Sequence, residues 1–215
     1  MKKYLAEFFG TMILVLLGTG TVVIAKGDVL AIGLAFGLAI TISAYSFGAV
    51  SGGHFNPAVT TAMLINHKIN VTNAIGYIIA QFVGATVGSG FVLYFVKSLG
   101  LSSTSLGQTD FPNISTLTAI IVEILITFIF VTIILLVTSE TFGNPNMAGL
   151  IIGIALAFLI IIALNLTGGS LNPARSFGPA IFAGGSALSH YWVFLVAPEI
   201  GAILAAFVAR YLKTN

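Results

Sequence analysis

The chain has 215 residues, 58% of them hydrophobic and only 7% charged, where an ordinary soluble domain carries about 25% charged residues. A net charge of +2, spread over loops and tails, makes no basic stripe and implies no nucleic-acid partner. The absence of cysteine excludes disulfides, thiolate metal sites and a thiol nucleophile.

Apolar stretches that meet the roughly 20 residues a membrane helix needs run over 4–24, 30–47, 73–96, 117–137, 147–166 and 191–212. The first is longer than a signal-peptide core, lacks a small-residue cleavage site and contains Glu7, so it reads as a retained helix. The whole chain is therefore expected to be one transmembrane domain, 1–215. With six spans both termini share a side. Lys2, Lys3, Lys68, Arg210 and Lys213 fall there, against Lys26 and Lys97 on the other. The bias predicts cytoplasmic termini, and the short loops and tail fit a prokaryotic inner or plasma membrane. The Asn-x-Ser/Thr matches at Asn70, Asn113 and Asn165 read as chance.

A constant offset of 116 residues relates the two halves. It carries Glu7 onto Glu123, Thr11 onto Thr127, Gly33 onto Gly149, Gly37 onto Gly153, Gly52-Gly53 onto Gly168-Gly169, and Asn56-Pro57-Ala58 onto Asn172-Pro173-Ala174. The repeats are drawn at 1–100 and 117–215 around a linker at 101–116, within a Ser-, Thr- and Gly-rich stretch that begins at Lys97. Each half holds three spans, an odd number, so the second enters the membrane from the opposite face. Such inverted repeats put the functional site at the midplane, which argues for transport.

Each Asn-Pro-Ala reads as a helix start, because Asn is a favoured N-cap and Pro fits the first helical position. The apolar runs that follow, 57–66 and 173–182, are only about ten residues or about 15 Å long at 1.5 Å per residue, half of a hydrocarbon core of about 30 Å. Two such half-helices, entering from opposite faces, would meet N-terminus to N-terminus. The residues before them, Gly52, Gly53, His54 and Phe55, and Gly168, Gly169, Ser170 and Leu171, would be non-helical backbone lining a cavity, their carbonyls a ladder of acceptors. Asn56 and Asn172 would direct amide donors into the lumen where two helix N-termini add partial positive charge. Such a pore admits water and repels cations.

On the two Asn-Pro-Ala boxes, the segments 51–60 and 172–178, and the opening Ala6-Glu7-Phe8-Phe9-Gly10-Thr11, the sequence resembles the aquaporin (major intrinsic protein) family, in its prokaryotic members, along essentially its full length. The resemblance implies an all-α membrane fold: six transmembrane helices plus two half-helices in an inverted 3+3 repeat, forming a right-handed bundle, with a homotetramer carrying one pore per subunit. It implies no enzyme activity and no cofactor or metal. It also implies a selectivity filter of Phe36, Ile160, Gly169 and Arg175. An intramembrane carboxyl is a functional-site hypothesis in itself, and a proton relay is one reading of Glu7 and Glu123; the resemblance implies that they brace the irregular strands instead.

Water-selective members usually carry histidine where this chain has Ile160 and a Thr or Cys near Gly169. Glycerol-conducting members usually have an Asp after the arginine, where Ser176 stands, while Ala180, Tyr191 and Trp192 resemble the water-type pattern. The expected filter is wider and more apolar than a strict water filter, passing water, hydrogen peroxide and, more slowly, glycerol. Open alternatives are an aquaglyceroporin with glycerol as main substrate, and an anion or small-molecule transporter with inverted repeats. Gln81 reads as a packing residue, His54 as loop-bracing, His67 and His190 as interfacial, and Glu199, beside Pro198, has no assigned role.

Overall fold

The computed structural model describes residues 1–213, so the last two residues of the second repeat lie outside the described residues. Nine helices occur among the described residues, with no strand. Six are long and apolar enough to cross a membrane: α1 (Lys2–Val23), α2 (Val29–Ser51), α4 (Val71–Ser98), α5 (Thr116–Val137), α6 (Pro145–Thr167) and α9 (Tyr191–Lys213). Between them lie the short α3 (Pro57–Ile65), α7 (Pro173–Ala183) and α8 (Gly185–Ser189).

Helix ends follow local chemistry. The side chains of Asp28, Asn70 and Ser115 each accept a hydrogen bond from a backbone N–H of the following turn, at 2.8, 2.9 and 3.1 Å, which satisfies donors left open at a helix start. The second and fifth spans run past the predicted 47 and 166 to Ser51 and Thr167. Each helix continues until a glycine in the left-handed region, Gly52 at φ 89° and Gly168 at φ 82°, stops it. The half-helices end within a residue of expectation, and α8 was not foreseen from the sequence.

The outside of the bundle is apolar as well as its core. Leu30, Leu34, Leu38 and Ile42 form an exposed stripe on α2, and Ile154, Phe158 and Ile162 one on α6, whereas Glu7, Gln81, Glu123, Arg175 and Ser176 are buried. The lipid replaces water at the apolar surface, so polar groups have to find partners inside. Helices α1 and α4 pack as α5 and α9 do, and α2 packs on α6 between the halves. This is the pattern an inverted repeat demands, since α1, α2 and α4 correspond to α5, α6 and α9.

With lipid as apolar as leucine, close backbone approach drives helix packing. At Gly37 of α2, an added Cβ would run into the Gly153 carbonyl of α6 and come within 2.8 Å of the Ala157 Cβ. Gly37→Ala is therefore expected to destabilise the protein by about 1–3 kcal/mol. Gly48→Ala on the same helix, where no atom lies within 4 Å of the new methyl, is expected to be stabilising by about 0.5–1 kcal/mol. Unfolding midpoints in mixed-micelle SDS titrations check the opposite signs.

Candidate pore at the meeting point of two half-helices

Asn56 and Asn172 cap α3 and α7 from extended backbone, at φ −159° and −150°. The Asn56 Oδ1 accepts from the Ala58 N–H at 2.9 Å, and the Asn172 Oδ1 from the N–H groups of Ala174 and Arg175 at 3.0 and 3.2 Å. Pro57 and Pro173 occupy the first helical positions, and Ala58 and Ala174 are fully buried behind them. Each amide then donates across the midplane: Asn56 Nδ2 to the Leu171 carbonyl at 2.8 Å, Asn172 Nδ2 to the Phe55 carbonyl at 2.9 Å. The two helix N-termini thus face one another, tied by a reciprocal pair of bonds. Two of the eight carbonyls expected to form the ladder, those of Phe55 and Leu171, are engaged by this tie. Both residues sit at positive φ, 50° and 54°, a strained setting for bulky side chains that the duplicated bonding holds in each half.

Glu7 and Glu123 do the same job at equivalent places. Glu7 accepts from the Ser51 hydroxyl at 2.6 Å and from the N–H groups of His54 and Phe55 at 3.0 and 2.6 Å. Glu123 accepts from the Thr167 hydroxyl at 2.6 Å and from the N–H groups of Ser170 and Leu171, both at 3.0 Å. The hydroxyl contact and the two strand N–H contacts of one half each have their partner in the other. Gln81 is more than a packing residue: its Nε2 donates to Glu7 at 2.8 Å and to Thr60 at 3.0 Å. His54 braces its loop through Nδ1 and the Thr60 hydroxyl, 3.1 Å apart. In the second half Ser170 and Ser176 occupy the equivalent positions, 2.6 Å apart, and the space left by the smaller side chain is met by Thr109 of the linker, 2.9 Å from Ser176.

One cavity runs between the half-helices. Ala44, Ile152 and Val59 line its end toward the termini, Asn56 and Asn172 its middle, and Phe36, Ile160 and Arg175 its end toward the linker. Gly52, Gly53, His54, Ser170 and Leu171 also line it. At the terminal side it is continuous in its lining with a larger polar vestibule that shares Gly52, His54, Met63 and Thr138. The offset of 116 pairs Phe36 with Ile152, Ile160 with Ala44 and Arg175 with Val59. The charged, bulky corner is therefore built at the linker end alone. There the Arg175 guanidinium carbon lies 4.7 Å from the centre of the Phe36 ring, and one terminal nitrogen donates to the Gly107 carbonyl at 3.1 Å. Its Nε has no hydrogen-bond partner among the described residues. Gly169, at φ 60°, backs onto Ile160, where an added Cβ would lie 3.4 Å from the Ile160 Cα. Gly168 is spaced off the lumen against Thr109.

The sequence reading missed the linker's contribution. Gly107 and Thr109 have no counterpart at the repeat offset, and their contacts to α7 carry no periodic signal. His190, expected at an interface, lies with its Nδ1 2.7 Å from Asp110 of the linker. Burial raises the Asp110 carboxyl, but hydrogen bonds from Ser186, His190 and the Phe111 N–H, together with the histidine's charge, outweigh it and hold the group below its ordinary value. Glu199 of α9 lies beside the Thr61 side chain of α3. Trp192 faces outward, and the Tyr191 hydroxyl donates to the Pro173 carbonyl at 3.3 Å.

Glu123→Gln replaces one accepting oxygen by a donor and leaves a strand N–H facing it. A buried donor without an acceptor costs about 1–3 kcal/mol, so the variant is expected to unfold at lower SDS fraction and to conduct less. A proton relay would instead leave stability untouched, and the unfolding titration separates the two.

A model of the major intrinsic protein family matches residues 1–209. The chain is 71% identical over 215 residues to glycerol uptake facilitator protein-like 6 of Lactiplantibacillus plantarum, covering 100% of both chains. It is 37% identical over 244 residues to aquaporin AqpM of Methanothermobacter marburgensis, covering 100% of this chain and 98% of that protein. Among solved structures, the X-ray structure of the aquaglyceroporin from Plasmodium falciparum superposes with a TM-score of 0.87 at 26% identity, over 99% of this chain and 96% of the other. With its two half-helices capped by Asn-Pro-Ala and meeting inside a six-span bundle, the chain belongs to the major intrinsic protein family, whose members are membrane channels and not enzymes.

Proposed function

We propose that this protein is a passive channel for water and small uncharged solutes, with the midplane at Asn56 and Asn172 and a filter of Phe36, Ile160, Gly169 and Arg175. The observation that carries the reading is the locked state of the two asparagine amides. Each Oδ1 is occupied by its own helix and each Nδ2 gives one hydrogen to the opposite strand. An amide has two such hydrogens, so each residue keeps one donor for the lumen while its oxygen is engaged by its own helix.

A water molecule there offers its oxygen to both donors and turns its own hydrogens outward, toward the strand carbonyls on either side. That orientation interrupts a proton wire. A cation meets two helix N-termini, each worth roughly half a positive charge, and then the Arg175 guanidinium. Both barriers act on charge and leave neutral molecules alone. Glu7 and Glu123 serve as braces in this reading, with the cytoplasmic side at the termini, in a plasma or inner membrane, and one pore per subunit of a homotetramer.

Solute range depends on the linker-end corner. Ile160 withholds a hydrogen bond worth about 0.5–1.5 kcal/mol net from water, whereas a polyol rests its carbons on Phe36 and Ile160 and its hydroxyls on Arg175. Water, hydrogen peroxide and glycerol are all expected to pass. Glycerol as the main substrate is the second reading, favoured by the same apolar corner and by the name of the 71%-identical relative, a glycerol uptake facilitator-like protein.

Stopped-flow light scattering of proteoliposomes, with an impermeant osmolyte and then with glycerol, tests the reading. Flux of both above empty vesicles is expected; absence of glycerol flux would leave a water channel. Ile160→His is expected to lower glycerol flux about tenfold while water stays within a few-fold, since about 1.4 kcal/mol corresponds to one decade. Arg175→Ala is expected to admit protons that the unmodified protein excludes, read with a trapped pH dye under an ionophore clamp.

Because the chain contains no cysteine, mercurials are expected to leave its water flux unchanged. Ile160→Cys sets a thiol in the cavity wall without the cost of about 1–2 kcal/mol that a side chain meets in the left-handed conformation of Gly169. Its inhibition by mercury, reversed by a thiol reagent, is the expected result.

A further inference from the structure

Arg175 is steered from outside its own helix. The carbonyl that holds it belongs to Gly107, in the linker between α4 and α5, a stretch without regular helix from 99 to 115. Two residues on, the Thr109 hydroxyl donates to Ser176 at 2.9 Å. The next residue, Asp110, closes the segment. One carboxylate oxygen accepts from the Phe111 N–H at 2.8 Å and faces His190 Nδ1 at 2.7 Å, and the other accepts from the Ser186 hydroxyl. Phe111 stacks on the His190 ring at 4.3 Å and 19°, and buries itself against Val193, Phe194 and Ala197. At the other end Gly107 lies so close to Thr19 of α1 that an added Cβ would come within 2.9 Å of the threonine Cβ.

The carbonyl and the carboxylate are thus three residues apart, on a segment that spans about 10 Å at most when extended, and both ends are tethered. We propose that Asp110, clasped by Ser186 and His190, is a positioning residue for the pore arginine, so that solute selectivity is set in part from the linker. This rests on the reading of Arg175 as the filter cation. Held by Gly107, the guanidinium lies along the wall beside Phe36. With the clasp removed, the carbonyl is free to withdraw, and the guanidinium turns to the nearest remaining acceptors, the permeant molecules in the lumen. The constriction narrows, and a three-carbon polyol loses more than water does.

The test reads the ratio of glycerol to water permeability in proteoliposomes. Asp110→Ala is expected to lower that ratio about three- to tenfold, the range set by one ordinary hydrogen bond. His190→Ala, which removes one donor to Asp110 together with the ring that Phe111 stacks on, is expected to lower it in the same direction. His190→Asn, which keeps a side-chain N–H near the position of Nδ1, is expected to restore it. In an Arg175→Ala background, Asp110→Ala is expected to change the ratio no further. A ratio unmoved by Arg175→Ala alone would overturn the filter reading and the clasp with it. A ratio moved by Arg175→Ala but by neither clasp variant would overturn the clasp alone, as would an Asp110→Ala effect that persists undiminished without the arginine.

Discussion

Irregular backbone at membrane depth has no water to bond, and the rest of this structure depends on how one carboxylate per half resolves that. The strands before α3 and α7 are left with N–H groups on one edge and carbonyls on the other. Glu7 and Glu123 take the N–H edge, each binding two strand amides and one hydroxyl. An ionised carboxylate accepts at about four lone-pair sites, more than any neutral side chain of its size. Removing it from water is expensive, and the hydrogen bonds it accepts, four at Glu7 and three at Glu123, offset part of that cost. With the N–H edge spoken for, carbonyls that point the other way can serve the lumen. The strands are then rigid enough to hold the two asparagines in reach of each other across the midplane.

From this common frame the halves diverge in what closes the back of each strand. The first uses α4, through Gln81 and Thr60 around His54. The second has small hydroxyls at the equivalent positions and is completed by Thr109 from the linker. The divergence coincides with chemistry in the lumen. The residues paired by the repeat are Val59, Ala44 and Ile152 at one end and Arg175, Ile160 and Phe36 at the other. Only the second set contains a charge and a large ring. The half that carries the charge and the large ring is also the half whose strand is backed by a loop rather than by a transmembrane helix.

Composition, hydropathy and the offset of 116 made the six spans, both half-helices, the opposed N-termini and the paired glutamates legible before any coordinates, because each is a repeated or periodic signal. The corner residues Phe36, Ile160 and Arg175 came from resemblance and do line one cavity. What stayed hidden were contacts made by single, non-periodic residues. Gly107 is one residue of a Ser-, Thr- and Gly-rich linker with no signal of its own in the sequence, and only the fold brings its carbonyl to Arg175. Gln81 sits in an apolar run as one polar residue among packing residues, and its two hydrogen bonds need α1 and α3 in place. The end of α2 was placed short at 47 and that of α6 one residue short at 166, whereas each helix itself stops at a left-handed glycine.

The incomplete satisfaction of Arg175 is the last consequence of the frame. A buried guanidinium presents five N–H donors, and in this wall it meets the Gly107 carbonyl, the face of Phe36 and, at longer range, the charge of Glu123. The ring attracts the cation without accepting a conventional hydrogen bond, and Glu123 is already committed to the strand. The charge is therefore compensated while donors such as Nε remain open. Had the wall supplied a full set of acceptors, the arginine would be a structural strut and the lumen beside it would be dry. Supplying fewer leaves a fixed, buried cation in the cavity wall, which is what the proposed filter role asks of it.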